Sequence, residues 1–142
     1  MLGTGLGVVG VAPIAAGDGV SWRPIPGEGG HVAFAPLDDF EVDLLRHIRV
    51  SIERIVCGDG LVALNGFLMS LSGKSLSSAP TAAAMAKSTL EGDSIARDTV
   101  MRFLVILRSF AGDCVLLFSA RGGIYLGVAS SHNSSRWWQT VR

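Results

Sequence analysis

Residues 100–118 constrain the fold most, because they form an almost continuously apolar segment. A run of about this length could cross a membrane as a helix. Arg102, Arg108 and Asp113 interrupt it, however, and charged side chains that face lipid are costly. Apolar side chains recur at helical spacing at Val100, Phe103, Leu104, Leu107 and Ala111. The segment is therefore predicted to belong to a buried helix that starts near Gly92-Asp93, and no membrane partner is expected.

Strand-like and helix-like segments alternate along the chain, which predicts an α/β fold. The predicted strands cover residues 6–14, 20–25, 54–57 and 124–126. Further helices are predicted after a cap at Asp38 or Asp39, over residues 61–71 and over residues 82–90. The turn signal Ala16-Gly17-Asp18-Gly19 predicts that the first two strands form a hairpin.

Charge and cysteine content bear on the possible partners. Lys and Arg number 12, Asp and Glu number 12, and no basic patch is visible, so a nucleic-acid partner is not expected. Cys57 and Cys114 lie in apolar surroundings and are predicted to be buried core thiols in a reducing cytosol, not a disulfide or metal site. Residues 1–16 lack a basic leader region, so a signal peptide is not expected and a cytoplasmic location is predicted.

The series Gly3-Thr4-Gly5-Leu6-Gly7 is a candidate phosphate loop. A glycine-rich turn can present several backbone N–H groups to a phosphate, and a threonine hydroxyl adds a donor. No Lys-Ser/Thr follows, so it is not a Walker loop, and its spacing does not fit the dinucleotide fingerprint. From the residues alone, a phosphate site and a simple tight turn both remain open.

The loop Gly27-Glu28-Gly29-Gly30-His31 is a candidate ligand site. A carboxylate accepts hydrogen bonds from hydroxyls, and an imidazole either donates or accepts them, which suits a sugar. No neighbouring residues have the spacing of a metal site. An exposed turn with a solvated Glu28 and His31 is the alternative.

Glu53 is the third candidate, within the strand-like segment Ser51-Ile52-Glu53-Arg54-Ile55. A carboxylate in such a place is often a surface charge, here paired with Arg54. Residue type alone favours that interpretation over a binding role.

Several blocks occur together in a recognisable order. They are Gly3-Thr4-Gly5-Leu6-Gly7-Val8, Pro26-Gly27-Glu28-Gly29-Gly30-His31-Val32-x-Phe34-Ala35-Pro36, Ser51-x-Glu53-Arg54-Ile55-Val56-Cys57-Gly58-x-Gly60-Leu61-Val62, Phe110-Ala111-Gly112-Asp113 and Arg121-Gly122-Gly123-Ile124-Tyr125-Leu126. In this order they resemble the bacterial glucokinase family of the actin/hexokinase superfamily. The resemblance covers residues 2–127 and implies a partial actin-like, ribonuclease H-like ATPase lobe with a mixed sheet flanked by helices.

The resemblance also implies an activity, which is transfer of the γ-phosphoryl group of Mg-ATP to the 6-hydroxyl of glucose in glycolysis. It implies glucose and ATP as partners and ATP with Mg²⁺ as cofactors. Glu28, His31 and Glu53 match the family positions that hold the sugar hydroxyls. Gly3, Thr4 and Gly5 match its second phosphate-binding loop.

The sequence departs from the family pattern at two places. It contains neither the Asp-x-Gly-Gly-Thr phosphate loop nor the Asn-Asp pair that supplies the catalytic base, so no catalytic residue and no metal ligand is assigned. The resemblance also stops after Gly127. Residues 1–127 are thus predicted to be an incomplete large lobe, and residues 128–142 an atypical tail that is disordered or frame-shifted.

The leading hypothesis is therefore a fragment of a glucokinase, with little or no turnover alone. The alternatives are a non-catalytic sugar- or partner-binding remnant and a kinase of a related hexose. Apolar surface left uncovered by absent parts of the fold predicts a homodimer or other self-association.

Overall fold

The structure is a computed structural model that describes residues 5–48, 51–74, 80–127 and 139–141. Its strands are β1 (Val8–Ala16), β2 (Gly19–Gly27), β3 (Ile124–Leu126) and β4 (Gln139–Val141). Its helices are α1 (Asp39–His47), α2 (Ile52–Ile55), α3 (Gly58–Leu71), α4 (Ala82–Leu90) and α5 (Ser94–Phe118), and a 3-10 turn spans Gly29–His31. This mixture of helix and strand agrees with the predicted α/β class.

Within the described ranges, the strands form two separate antiparallel pairs, β1 with β2 and β3 with β4, and they do not join into one mixed sheet. The hairpin of β1 and β2 closes through Gly17, which has a φ of +58° that glycine adopts without strain. Most of its residues are exposed on both faces. A two-stranded ribbon buries too little surface to carry a core.

The helices form the core instead. One cluster of buried side chains contains residues from each of these five helices and Phe34 from the loop before α1. It consists of Phe34, Leu44, Ile52, Ile55, Val56, Leu61, Leu64, Phe67, Met85, Phe103 and Ile106. The buried face of α5 consists of Ala96, Thr99, Phe103 and Ile106. The predicted face included Leu104, which is wrong, because this side chain is 48% exposed on the outer side of the helix.

The predicted strand over residues 54–57 is also wrong, because residues 52–55 form the helix α2. Ile52 and Ile55 are fully or almost fully buried, and their spacing of three residues places them on one face of a helical turn. Burial of this pair overrides the strand preference of the β-branched residues.

Two further predictions are affected by the described structure. Cys57 is buried as predicted, whereas Cys114 is only partly buried. In the predicted tail, residues 128–138 and 142 lie outside the described residues, while Gln139–Val141 pairs with β3 as strand β4, which was not predicted. No helix in the described ranges is both long enough and apolar enough to span a membrane.

Candidate functional site

Three of the predicted binding residues lie together at one end of the helical core. The Nδ1 atom of His31 lies 3.0 Å from Oε2 of Glu53, and its Nε2 atom lies 3.5 Å from Oε2 of Glu28. The imidazole therefore bridges two carboxylates. Glu28 is the most exposed of the three side chains at 88%, and Glu53 the least exposed at 28%.

Local structure holds Glu28 and His31 on the same side of the loop. A 3-10 turn follows Glu28, and the backbone N–H of His31 donates to the carbonyl oxygen of Glu28 at 2.9 Å. In a 3-10 turn, residues three apart are eclipsed. The spacing that the sequence predicted as a ligand loop therefore places both side chains over one patch of surface.

Glu53 reaches this patch through a backbone connection between two segments. Ala33 and Ser51 form an isolated antiparallel bridge, and the N–H of Ile52 donates to the carbonyl oxygen of Val32 at 2.9 Å. The neighbouring Ile52 is buried, which anchors the first turn of α2 and leaves the Glu53 side chain at the surface. The Glu53 carboxylate faces the His31 imidazole, whereas the sequence suggested that Glu53 pairs with Arg54.

Gly5 brings the candidate phosphate loop to the same patch. A Cβ atom added at Gly5 would overlap the carboxylate of Glu53. The main chain after the loop therefore runs directly against the candidate sugar site. Gly3 and Thr4, the other two predicted phosphate-loop residues, lie outside the described residues.

Two more glycines make this arrangement possible, and the residue types alone did not reveal their role. A Cβ atom at Gly30 would overlap the backbone carbonyl oxygen of Leu6, and one at Gly29 would lie 2.9 Å from Cβ of Val8. The repeated Gly29-Gly30 was the only sequence signal for this close approach.

The patch is acidic and open. Among the described residues, no group of three or more His, Cys, Asp and Glu side chains could hold a metal ion. A cleft of ≈ 660 Å³ lies elsewhere, between the end of α4 and the start of α5, where Gly92, Arg97 and Asp98 line it. It is a broad surface depression, and the acid–imidazole patch has the better-defined chemistry, so the patch is the candidate site.

Comparison with known proteins identifies the family of the chain. The model of the Glucokinase family matches residues 2–132. A glucokinase of Chromohalobacter salexigens is 43% identical over 129 residues, which cover 87% of this chain and 39% of that protein. A glucokinase of Caulobacter vibrioides is 40% identical over 136 residues, which cover 89% of this chain and 40% of that protein.

Two solved structures have a similar fold. Glucokinase from an Antarctic psychrotroph superposes with a TM-score of 0.66 and 28% identity, covering 72% of this chain and 34% of that one. Glucokinase from Balamuthia mandrillaris in complex with glucose has a TM-score of 0.65 and 22% identity, covering 82% of this chain and 35% of that one, which shows the fold alone. This chain spans about two fifths of the length of the curated relatives it matches.

Proposed function

The chain belongs to the glucokinase family, and from this premise we propose that it supplies the glucose-holding part of an ATP-dependent glucokinase. The observation that carries the proposal is the His31 imidazole held between the carboxylates of Glu28 and Glu53. Two carboxylates accept hydrogen bonds from neighbouring sugar hydroxyls, and the imidazole adds a donor or an acceptor. We propose residues 1–127 as the lobe that provides this site and residues 128–142 as a tail outside it.

The nucleotide is proposed to bind beside the sugar. Gly3, Thr4 and Gly5 are the residues proposed to hold its phosphates, and Gly5 stands against Glu53 with no side chain between the two. Backbone N–H groups at such a loop would favour an anion. ATP would supply the phosphoryl group, and Mg²⁺ would accompany its phosphates, as is general for phosphoryl transfer from ATP.

Phosphoryl transfer depends mainly on positioning and on charge stabilisation. Glu28, His31 and Glu53 would orient the sugar, and the loop at Gly5 would orient the phosphates. No residue of this chain is proposed as the base that accepts the hydroxyl proton. A cytoplasmic location and a role in glycolysis belong to the same proposal, as does self-association through exposed apolar side chains such as Val11, Trp22 and Leu117.

The direct test has two measurements. The purified chain with Mg-ATP and glucose should form no glucose 6-phosphate above background in a coupled assay, because the family's aspartate base is absent from this sequence. Mixing it with a separately expressed glucokinase lobe that carries this aspartate should restore turnover. Turnover by the chain alone would contradict the proposed division of roles.

Glucose binding is measured separately by NMR titration of the 142-residue chain. Glu53→Gln should weaken binding by about tenfold or more, because it removes a charge-assisted acceptor. The matched control is Glu91→Gln, which changes an exposed glutamate paired with Lys87 at the far end of α4. Equal affinity of Glu53→Gln and Glu91→Gln for glucose would contradict the role of Glu53. No glucose binding by the wild-type chain would favour the alternative hypothesis of a non-catalytic remnant.

A further inference from the structure

The carboxylate of Glu53 meets a different residue through each of its two oxygen atoms. Its Oε2 atom lies 3.0 Å from Nδ1 of His31. Its Oε1 atom faces Gly5, where an added Cβ atom would overlap it. Because both oxygens are bonded to the same carbon, a rotation or shift that takes Oε1 away from Gly5 also moves Oε2. The residue at position 5 therefore bears on the contact between Glu53 and His31.

The space beside Gly5 is occupied by the Glu53 side chain and not by backbone. The three atoms nearest to the Cβ position of Gly5 are Oε1, Cδ and Cγ of Glu53, and Cδ would lie 3.3 Å away. A methyl group at this position would push against the far end of a side chain, which can rotate to another rotamer. At Gly30, by contrast, a methyl group meets the backbone of Leu6. Substitution of Gly5 should therefore move the Glu53 carboxylate with little effect on the fold.

The present position of this carboxylate matters for the His31 imidazole. Glu53 supplies the shorter of the two carboxylate contacts to the ring, and its side chain is the less exposed. Glu28 lies 3.5 Å from the ring at its nearest oxygen and is almost fully exposed. If Glu53 moved away, the imidazole would keep only this longer contact. A binding site that is already arranged before the ligand arrives costs less to order, so such a loss would weaken ligand binding.

We propose that Gly5 is a positioning residue for the sugar site. Its lack of a side chain leaves room for the Glu53 carboxylate at the place where it meets His31. The segment assigned to the phosphates of the nucleotide thus also forms one wall of the sugar site. The effect on glucose rests on the function proposed above, whereas the contact between Gly5 and Glu53 is testable without any ligand.

Gly7 offers a matched control in the same segment. A Cβ atom added at Gly7 would meet no atom of the described structure within 4 Å. Gly7→Ala therefore makes the same chemical change as Gly5→Ala without reaching Glu53. Both substitutions restrict the unfolded chain to a similar extent. A difference between the two variants then isolates the contact with the Glu53 carboxylate.

The first measurement records the NMR signals of the His31 ring protons and nitrogens in the 142-residue chain without glucose. Gly5→Ala should shift these signals in the same direction as Glu53→Ala, because both variants take the carboxylate away from Nδ1. Gly7→Ala should leave them at their wild-type positions. The ring of His47, which packs against Phe67, is the internal reference and should not change. Unshifted His31 signals in Gly5→Ala, or equal shifts in Gly7→Ala, would overturn the positioning role.

The second measurement compares glucose affinities by NMR titration. Gly5→Ala should weaken glucose binding by about tenfold, because it displaces a charged acceptor, and Gly7→Ala should bind as the wild-type chain does. In a Glu53→Ala background, Gly5→Ala should cause no further loss, because the added methyl group no longer meets the Glu53 side chain. A further loss of similar size in that background would contradict an action through Glu53.

Urea denaturation separates positioning from a general effect on the fold. Gly5→Ala and Gly7→Ala should unfold with the same free energy. If Gly5→Ala were less stable than Gly7→Ala both with and without the Glu53 side chain, the methyl group would act on the fold, and the inference would be wrong. If the wild-type chain bound no glucose, the proposed function would fail, while the His31 signals would still decide whether Gly5 positions Glu53.

Discussion

The candidate site depends on Gly30, because a residue with a side chain would not fit at this position. Its backbone touches the carbonyl oxygen of Leu6, so the loop before β1 and the turn before His31 lie against each other. Gly5 in the same way touches the carboxylate of Glu53. The distance between the proposed phosphate loop and the proposed sugar residues is therefore set by glycine at both contacts.

Gly30→Ala should lower the free energy of unfolding by about 1–3 kcal/mol, because the added methyl group overlaps a backbone atom. It should also weaken glucose binding by moving His31 away from Glu53. Urea denaturation measures the first effect and NMR titration the second. Gly112→Ala is the control, since its Cβ would enter open space within α5 and should stabilise the helix by about 1 kcal/mol. If Gly30→Ala unfolded with the same free energy as the wild-type chain, the loop before β1 and the turn at Gly29–His31 would not be in contact.

At the scale of the element, side-chain oxygens cap the start of three helices, and at the start of α3 the Cys57 sulfur accepts a hydrogen bond from the N–H of Gly60. Asp38 accepts a hydrogen bond from the N–H of Glu41 at 2.8 Å, Thr81 from that of Ala84 at 3.1 Å, and Asp93 from that of Ala96 at 3.0 Å. Each bond spans three residues, so it is encoded locally. The helix α2 has no such side-chain cap and depends on burial instead.

The ionised Asp38 carboxylate makes the stability of the first turn of α1 depend on pH. The hydrogen bond from the Glu41 N–H, and then the bond from Arg102, hold the pKa of this carboxyl below its usual value of 3.8. A lowered pKa in the folded state means that the ionised group stabilises the fold above the unfolded pKa. This contribution is lost as the pH falls through the folded pKa.

Asp38→Asn should therefore destabilise the chain at neutral pH and have little effect in strong acid. The expected loss is under about 1 kcal/mol, because the bond to Arg102 is partly exposed and asparagine still caps the helix. Urea denaturation at both pH values measures the difference. The control is Asp39→Asn, which changes the adjacent carboxylate without removing the cap. A loss of equal size at both pH values would contradict the assignment.

Over the whole molecule, α3 and α5 are joined by a polar contact inside the apolar core. The side-chain amide of Asn65 donates to Oγ1 of Thr99 at 3.0 Å, and this hydroxyl donates to the carbonyl oxygen of Ile95 at 2.7 Å. Asn65 and Thr99 are both buried. Their bond fixes the rotation of one long helix against the other, because only one orientation satisfies both groups.

Thr99→Val keeps the shape of the side chain but leaves the Asn65 amide without its acceptor. The free energy of unfolding should fall by about 1–3 kcal/mol, as measured by urea denaturation. Thr89→Val is the matched control, because the Thr89 hydroxyl only donates to the Met85 carbonyl within α4 and its removal orphans no buried donor. If both variants lost the same free energy of unfolding, the hydrogen bond between Asn65 and Thr99 would add no stability beyond that of a hydroxyl bonded within its own helix.

Features that depend on near neighbours could be predicted from the sequence. Residues 82–90 and 124–126 are a helix and a strand with the predicted bounds, and the turn at Gly17 folds β1 and β2 into the predicted hairpin. The match in order of glycine-rich and acidic blocks identified the family. The helix, strand and turn signals lie in the chemistry of residues a few positions apart, so they are present before the chain folds.

The tertiary structure decided the rest. Residues 52–55 form α2 and not a strand because Ile52 and Ile55 meet the core, and Leu104 is exposed because the core contacts another face of α5. His31 and Glu53, far apart in sequence, meet only because the bridge between Ala33 and Ser51 joins their segments. Such contacts depend on packing and loop closure across the molecule, to which no local pattern in the sequence corresponds.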